Sequence, residues 1–161
     1  MANRAEFQAR LAANKARLRR GEAAARLHSL GALVAGTADR FTLHWHDGVC
    51  AGLLAWANDT LPLHGPYDDR QPFDRSAEQG LTDVLAGLVA RHALTGWAEI
   101  LGGFDRHDLA IAIETAAIAT LVPKLRAEDP GAFEDVVIAS RSRAWAMMVH
   151  HEGEVFYWGL G

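Results

Sequence analysis

The sequence predicts a mainly α-helical protein of the α+β class, with four to five helices in a bundle-like arrangement and a small antiparallel sheet. Long segments rich in Ala and Leu carry apolar residues at the spacing of an amphipathic helix. Residues 41–46 (FTLHWH) alternate apolar and polar side chains, which is typical of a half-buried strand. Two aromatic and β-branched runs around Glu152 and Gly153 predict a C-terminal β-hairpin that belongs to this small sheet.

The composition predicts a single globular domain over residues 1–161. Half of the residues are apolar and 22% are charged, close to the average for globular proteins. The single cysteine cannot form an internal disulfide, and the first apolar run, residues 30–36, is too short to cross a bilayer. We therefore expect a soluble protein without a membrane partner, either cytoplasmic or part of a soluble intracellular or virion-like assembly.

The first predicted helix, residues 4–27, is basic and has only a thin apolar stripe. Residues 1–40 carry eight Lys and Arg against three Asp and Glu, a balance of +5. Residues 41–161 carry eight against seventeen, a balance of −9. This asymmetry indicates a charged partner, so residues 1–27 are expected either to act as an interaction arm or to lie on the core as a solvated helix. Four arginines are the expected contacts: Arg10, Arg17, Arg19 and Arg20.

The next predicted elements are the strand 41–46, a turn at Asp47 and Gly48, and a helix that begins near Val49. The alternation of the strand places the side chains of His44 and His46 on its polar face. Cys50 then enters the core as a small apolar side chain, the usual environment of a cysteine outside disulfides.

Cys50 also supports an alternative function, a thiol-dependent hydrolase or transferase. Such a nucleophile needs a lowered pKa and a histidine within hydrogen-bond reach, which His44 or His46 could supply with Asp47. Residues 48–57 (GVCAGLLAWA) resemble the nucleophile segment of NlpC/P60-type cysteine hydrolases, a papain-like family with an Asp-Cys pair before a small residue, a Gly and an apolar helix. The resemblance implies Cys50 as the nucleophile. Val49 replaces the Asp of that family, however, and no later strand carries its His-x-Gly near the start.

A third hypothesis is a His-rich metal-binding protein. His44 and His46 lie two residues apart on one strand face, and His64 could add a third ligand. Asp47 or the turn at residues 150–152 are further candidates for that ligand. Histidines that are merely exposed on a strand explain the same pattern without a metal, so we expect no cofactor.

Residues 58–77 interrupt all periodicity and hold three of the five prolines. Long irregular loops in compact domains are uncommon and frequently functional. We expect this segment to be an acidic contact loop, with Asp68, Asp69 and Asp74 as the side chains that meet a partner.

Three further helices are predicted downstream. Ser76 and Gln79 form a capping-box pattern before a helix that ends at residues 95–96. Residues 97–101 are predicted as a further turn. The longest helix begins at Asp105, and Pro123 is expected to kink or end it. Its apolar character on most sides places it in the centre of the bundle or at an interface.

The last predicted helix begins at Asp129 and Pro130 and continues to about Ile138. The apolar stripes of the two preceding helices identify four residues that should be nearly fully buried: Leu85, Leu88, Ile113 and Leu121.

These features favour a non-enzymatic interaction module over an enzyme. The chain would be a subunit of a homo- or hetero-oligomeric complex, with the basic helix and the acidic loop as contacts to a protein partner or to itself. The sequence shows no internal repeat, no Gly-rich phosphate loop and no Cys/His zinc pattern. Nucleic acid is an improbable partner because the body is acidic, the isoelectric point is about 6.0 and no reader motif is present.

Overall fold

The computed structural model describes residues 2–45, 47–61, 67–102 and 109–160, except the side chains of residues 2–5, 19 and 23. The chain divides into two compact units, Met1–Ala32 and Leu33–Gly161. We call them the N-terminal unit and the body.

The N-terminal unit lies within one helix, α1 (Ala2–Ala35), whose last residues belong to the body. It is longer than the predicted helix 4–27 at both ends. Ala is the strongest helix former, and no proline interrupts the segment. Gly21 lies inside the helix without breaking it.

The body contains a seven-stranded antiparallel sheet with the strand order β1-β4-β3-β5-β6-β7-β2. The strands are β1 (Phe41–Trp45), β2 (Asp69–Pro72), β3 (Trp97–Gly102), β4 (Leu109–Glu114), β5 (Val136–Ser140), β6 (Ala146–His150) and β7 (Glu154–Trp158). The helices are α2 (Gly48–Thr60), α3 (Glu78–Arg91), α4 (Ile118–Glu128) and α5 (Pro130–Phe133), with a 3-10 turn at Thr115–Ala117 before α4.

Helices cover both faces of this sheet. On one face, α2 packs over small side chains of the central strands; this cluster includes Cys50 and Leu53 of α2 with Leu101, Ala110, Val137, Ala139 and Ala146. On the opposite face, Phe133 of α5 lies directly over Gly102, and His92 at the end of α3 contacts Tyr157. The core is therefore two apolar layers separated by the sheet.

The prediction of a mainly helical bundle with a small sheet was wrong, because the sheet has seven strands and forms the centre of the body. The α+β class itself fits. Strands that are covered on both faces read as nearly continuous apolar runs, and periodicity does not separate such runs from buried helices. The sequences of β3 (WAEILG), β4 (LAIAIE) and β5 (VVIAS) are runs of this kind.

The longest predicted helix, from Asp105 to Pro123, shows the error most clearly. Its start lies outside the described residues, residues 109–114 form β4, and α4 begins only at Ile118. In β4 the Ala residues face α2 and the Ile residues fill the opposite layer, which is the two-residue period of a strand. Pro123 does not end the helix: it lies inside α4, which continues to Glu128.

Two neighbouring predictions were wrong for the same reason. The predicted turn at residues 97–101 is β3, the partner of both β4 and β5. The last predicted helix ends at Phe133, and residues 136–140 form β5, where β-branched residues favour a strand. Asp129 caps α5 as predicted, because its side chain accepts a hydrogen bond from the Ala132 N–H at 3.2 Å.

Other predictions are confirmed. Strand β1, helix α2 and helix α3 lie where the sequence indicated, although no side chain caps α3: Ser76 donates to Asp74 at 2.6 Å instead. All four residues predicted to be buried are fully buried: Leu85, Leu88, Ile113 and Leu121.

The C-terminal hairpin is also confirmed, as β6 and β7. Gly153 adopts a φ of +92° in its turn, a conformation that favours glycine. The hairpin is stabilised inside the large sheet, with β5 beside β6 and β2 beside β7. Among the described residues, no helix combines the length and the apolar character needed to cross a lipid bilayer.

Candidate interaction surface

The N-terminal unit exposes three large apolar side chains. Phe7, Leu11 and Leu18 are 65%, 45% and 61% exposed. Spacings of 4 and 11 residues are close to whole helical turns of 3.6 residues, so the three lie along one side of α1. We call them the apolar stripe. Leu30, towards the C-terminal end of the helix, is by contrast buried.

Basic side chains flank the apolar stripe. Arg10 follows Phe7 by three residues and Arg17 follows Arg10 by seven, which places both beside the stripe. Arg10 forms an exposed ion pair with Glu6 at 2.8 Å, a contact that contributes little stability. Arg17 and Arg20 are exposed, and the side chain of Arg19 lies outside the described residues. The N-terminal unit has seven Lys and Arg against two Asp and Glu, a balance of +5.

The predicted acidic loop is more ordered than the sequence suggested, because residues 69–72 form the edge strand β2. Asp68 accepts a hydrogen bond from the Leu160 N–H at 3.1 Å, and Asp69 accepts one from the Tyr157 hydroxyl at 3.1 Å. These carboxylates therefore hold the C-terminal segment against β2. Both remain exposed at the surface.

Asp74, the third predicted contact, is also exposed and organises the turn before α3. Hydrogen bonds from the Ser76 hydroxyl and backbone N–H hold the pKa of Asp74 below its ordinary value. Its carboxylate is thus negatively charged at neutral pH. The structure keeps these three acids on the surface, where a basic partner could reach them.

The segment 44–50 is built as a strand end, a capped turn and a helix start. Asp47 is the N-cap of α2, and its Oδ1 accepts hydrogen bonds from the backbone N–H groups of Val49 and Cys50 at 3.0 and 3.1 Å. Its Oδ2 lies 2.8 Å from Nδ1 of His44. Slight burial raises the pKa of Asp47, but the hydrogen bonds from Cys50 and His44 outweigh it and lower the pKa overall.

The environment of Cys50 argues against a nucleophilic thiol. The residue is 1% exposed, and its Sγ donates to the backbone carbonyl of His44 at 3.1 Å. Burial raises the pKa of the thiol, and the Asp47 carboxylate adds to that effect. An activated cysteine needs partial exposure and a lowered pKa, the opposite of both observations. The side chain instead fills the layer between α2 and the sheet.

Of the three predicted metal ligands, His44, His46 and His64, the structure describes only His44. The ring of His44 is held by Asp47. His46 and His64 lie outside the described residues.

The sequence predicts neither of two polar clusters as a whole, although it indicates the turn at residues 150–152 as a source of one metal ligand. Glu99 of β3 is buried on the face of the sheet that α2 covers, and it forms an ion pair with Arg143 at 2.6 Å. Asp135, His150 and His151 converge where β5 begins and β6 ends. A lone Glu in an apolar strand and a His-His pair before a turn were the only sequence signals, and neither identifies its partner.

Comparison with known proteins adds no constraint on function. No protein-family model, no curated protein and no solved structure matches the chain. The resemblance of residues 48–57 to cysteine hydrolases therefore rests on that segment alone.

Proposed function

We propose that this chain is a non-enzymatic assembly subunit whose N-terminal unit binds the acidic body of a second copy. The observation that carries the proposal is the exposed apolar stripe of Phe7, Leu11 and Leu18. Three such side chains offer on the order of 5 kcal/mol of binding free energy when buried, before the costs of ordering. A helix that exposes them on one side gains that energy only by binding something.

Charge favours the body of another copy as the partner. The N-terminal unit has a balance of +5, and the body has nine Lys and Arg against eighteen Asp and Glu, a balance of −9. Two N-terminal units pairing with each other would instead bring like charges together. Opposite potentials across an interface mainly raise the association rate and the specificity.

The exposed carboxylates around β2 form the proposed binding site for the helix on the body. Asp68, Asp69 and Asp74 lie within seven residues of sequence and are all exposed. Because their hydrogen bonds fix these side chains, binding a basic helix there costs little side-chain entropy. Such an assembly is expected to be intracellular, since its buried thiol requires no oxidising compartment.

The first test measures the solution mass of the full chain over a concentration series. We expect a concentration-dependent dimer or larger species for the unmodified protein. The triple variant Phe7→Ala, Leu11→Ala and Leu18→Ala should remain monomeric, while retaining the helix because Ala favours it. The matched control is Gln8→Ala with Ala12→Gln, which exchanges two exposed residues away from the stripe and should associate normally.

The second test addresses charge. Association should weaken between about 0.05 M and about 0.5 M salt, because exposed charges are screened over less than 10 Å at the higher value. The variant Arg10→Glu with Arg17→Glu should abolish association. A monomer at every concentration, or normal association of either the stripe variant or the charge-reversal variant, would overturn the proposal.

A further inference from the structure

A cluster of metal-ligating side chains lies at one end of the sheet, in the body. Asp135 immediately precedes β5, His150 is the last residue of β6, and His151 begins the turn to β7. Val136 pairs with Val149 in the sheet, so the next positions outward, Asp135 and His150, are neighbours across the two strands. The fold thus brings together residues that are fifteen positions apart in sequence.

The geometry of the cluster is compact. The backbone N–H of His151 donates to Oδ1 of Asp135 at 2.8 Å, and His151 Nδ1 lies 3.0 and 3.1 Å from the two carboxylate oxygens. The rings of His150 and His151 have centroids 4.0 Å apart. One ligand atom from each of the three residues lies within 4.8 Å of the other two.

These distances are close to those of a coordinated ion. Ligand bonds of about 2.0–2.2 Å place two donors of a tetrahedral ion about 3.5 Å apart. Small side-chain rotations would close the remaining gap, and the histidine side chains are 24% and 43% exposed, so they have room to rotate. Glu152 offers a further carboxylate, with its Oε2 3.9 Å from Nδ1 of His150.

Two arginines, Arg75 and Arg126, lie close to the cluster. Arg75 donates to the backbone carbonyl of His151 at 3.0 Å, and Arg126 donates to the carbonyls of Phe133 and Glu134. Both guanidinium groups donate to backbone oxygens, and the charge of Arg126 also interacts with the carboxylates of Asp135 and Glu134. The adjoining groove carries three further acids, Asp74, Glu134 and Glu152, which favour a cation.

We propose that Asp135, His150 and His151 bind a divalent transition-metal ion, with Zn²⁺ the favoured one. Two imidazoles and one carboxylate form a ligand set that suits Zn²⁺ or its neighbours in the first transition row, whereas Ca²⁺ and Mg²⁺ prefer oxygen ligands alone. The ion ties the β6–β7 turn to the start of β5. This site is independent of the proposed assembly function and of His44, His46 and His64.

The test is a calorimetric titration of chelator-treated full-length protein with Zn²⁺, with bound Co²⁺ absorption as a second readout. We expect one ion per chain and a higher thermal midpoint with Zn²⁺. His150→Ala should weaken Zn²⁺ binding at least about tenfold. Asp135→Asn should do the same while keeping an oxygen for the His151 N–H, which separates ligation from a structural role. His28→Ala, an exposed histidine on α1, is the matched control and should bind normally.

The absence of stoichiometric Zn²⁺ binding to the unmodified protein would overturn the site. So would undiminished affinity in folded His150→Ala and Asp135→Asn variants. A loss of binding in His44→Ala instead would place the ion at the strand β1 histidines and contradict this assignment.

Discussion

Helix α1 and strand β4 are made from similar residues and have opposite structures. The exposed part of α1 (ARLAANKARL) and β4 (LAIAIE) are both rich in Ala with interspersed large aliphatic side chains. In α1 polar residues cover most of the surface and three apolar side chains remain exposed, whereas five of the six residues of β4 are buried. Local propensity and burial agree in both segments: the Ile residues of β4 favour a strand that is covered on both faces, whereas the Ala, Arg and Lys residues of α1 favour an exposed helix.

The largest contrast should be in the cost of removing one aliphatic side chain. Ile113→Ala in β4 should lower the free energy of unfolding by about 2–5 kcal/mol, because burial is lost and a cavity remains. Leu18→Ala in α1 should change it by about 0.5 kcal/mol or less. Urea unfolding of both variants measures the difference. A loss below about 1 kcal/mol for Ile113→Ala would contradict the buried position of β4.

A second test concerns Glu99, the buried charged residue of strand β3. Arg143 pairs with the buried Glu99 and also lies over the ring of Trp56, at 5.2 Å from its centroid. Arg143→Ala should cost about 2–3 kcal/mol, because it leaves a buried carboxylate without its close partner. Arg141 is 57% exposed and 3.8 Å from Glu99. Arg141→Ala is thus the control and should cost less than about 1 kcal/mol; equal losses would show that Glu99 does not depend on Arg143.

A third test uses the N-cap of α2. Asp47→Ala should cost about 1 kcal/mol at neutral pH. Because the pKa of Asp47 is lowered in the folded chain, its contribution is present above the unfolded pKa of about 3.9 and is lost as the pH falls through the folded value. The difference between the two proteins should therefore shrink as the pH falls below about 3.9. Asp47→Asn retains a capping side chain that does not titrate, so the stability difference between Asp47→Asn and Asp47→Ala should not change with pH. An effect of Asp47→Ala that is the same at every pH would contradict the assigned charge.

The smallest effect should be a gain in α1. A Cβ at Gly21 would meet no atom within 4 Å, so Ala fits there without strain. Gly21→Ala should stabilise the helix by about 0.5–1 kcal/mol. Amide hydrogen exchange measures this stabilisation: exchange should become slower around residue 21 and remain unchanged in the body. Equal slowing in both units would show that they unfold together.

The sequence predicted well where each segment has one polar and one apolar face. Helix α3 has such faces and lies where periodicity placed it. Strand β7 alternates in burial, whereas β6 is almost entirely buried, and this hairpin was identified from its aromatic and β-branched residues and its glycine turn. The three central strands are covered on both faces and are therefore apolar along most of their length. A run of this kind, such as residues 109–114, also fits the apolar stripe of a buried helix. The acidic loop was recognised by composition, but β2 was missed because only four residues form it.

The two candidate sites also differ in how far the sequence alone could predict them. The basic helix could be found from charge counting alone, since all its residues are contiguous. The cluster of Asp135 with His150 and His151 could not, because it exists only when β5 lies beside β6. A helix over residues 129–138, as the sequence predicts, leaves no strand β5 that could bring Asp135 beside His150. Distant side chains meet through strand pairing, which a single sequence specifies only weakly.

The strand order also determines when the sheet can be completed during synthesis. Both edge strands are made early and wait for late partners: β1 pairs with β4, and β2 pairs with β7 near the C-terminus. Contacts between residues so far apart slow folding, whereas a helix such as α1 forms as soon as its residues are available. A chain that lacks residues 154–158 would therefore have a complete α1 but an incomplete sheet, in which β6 is an open edge and β2 has no partner. Such an intermediate is prone to aggregate or to require a chaperone.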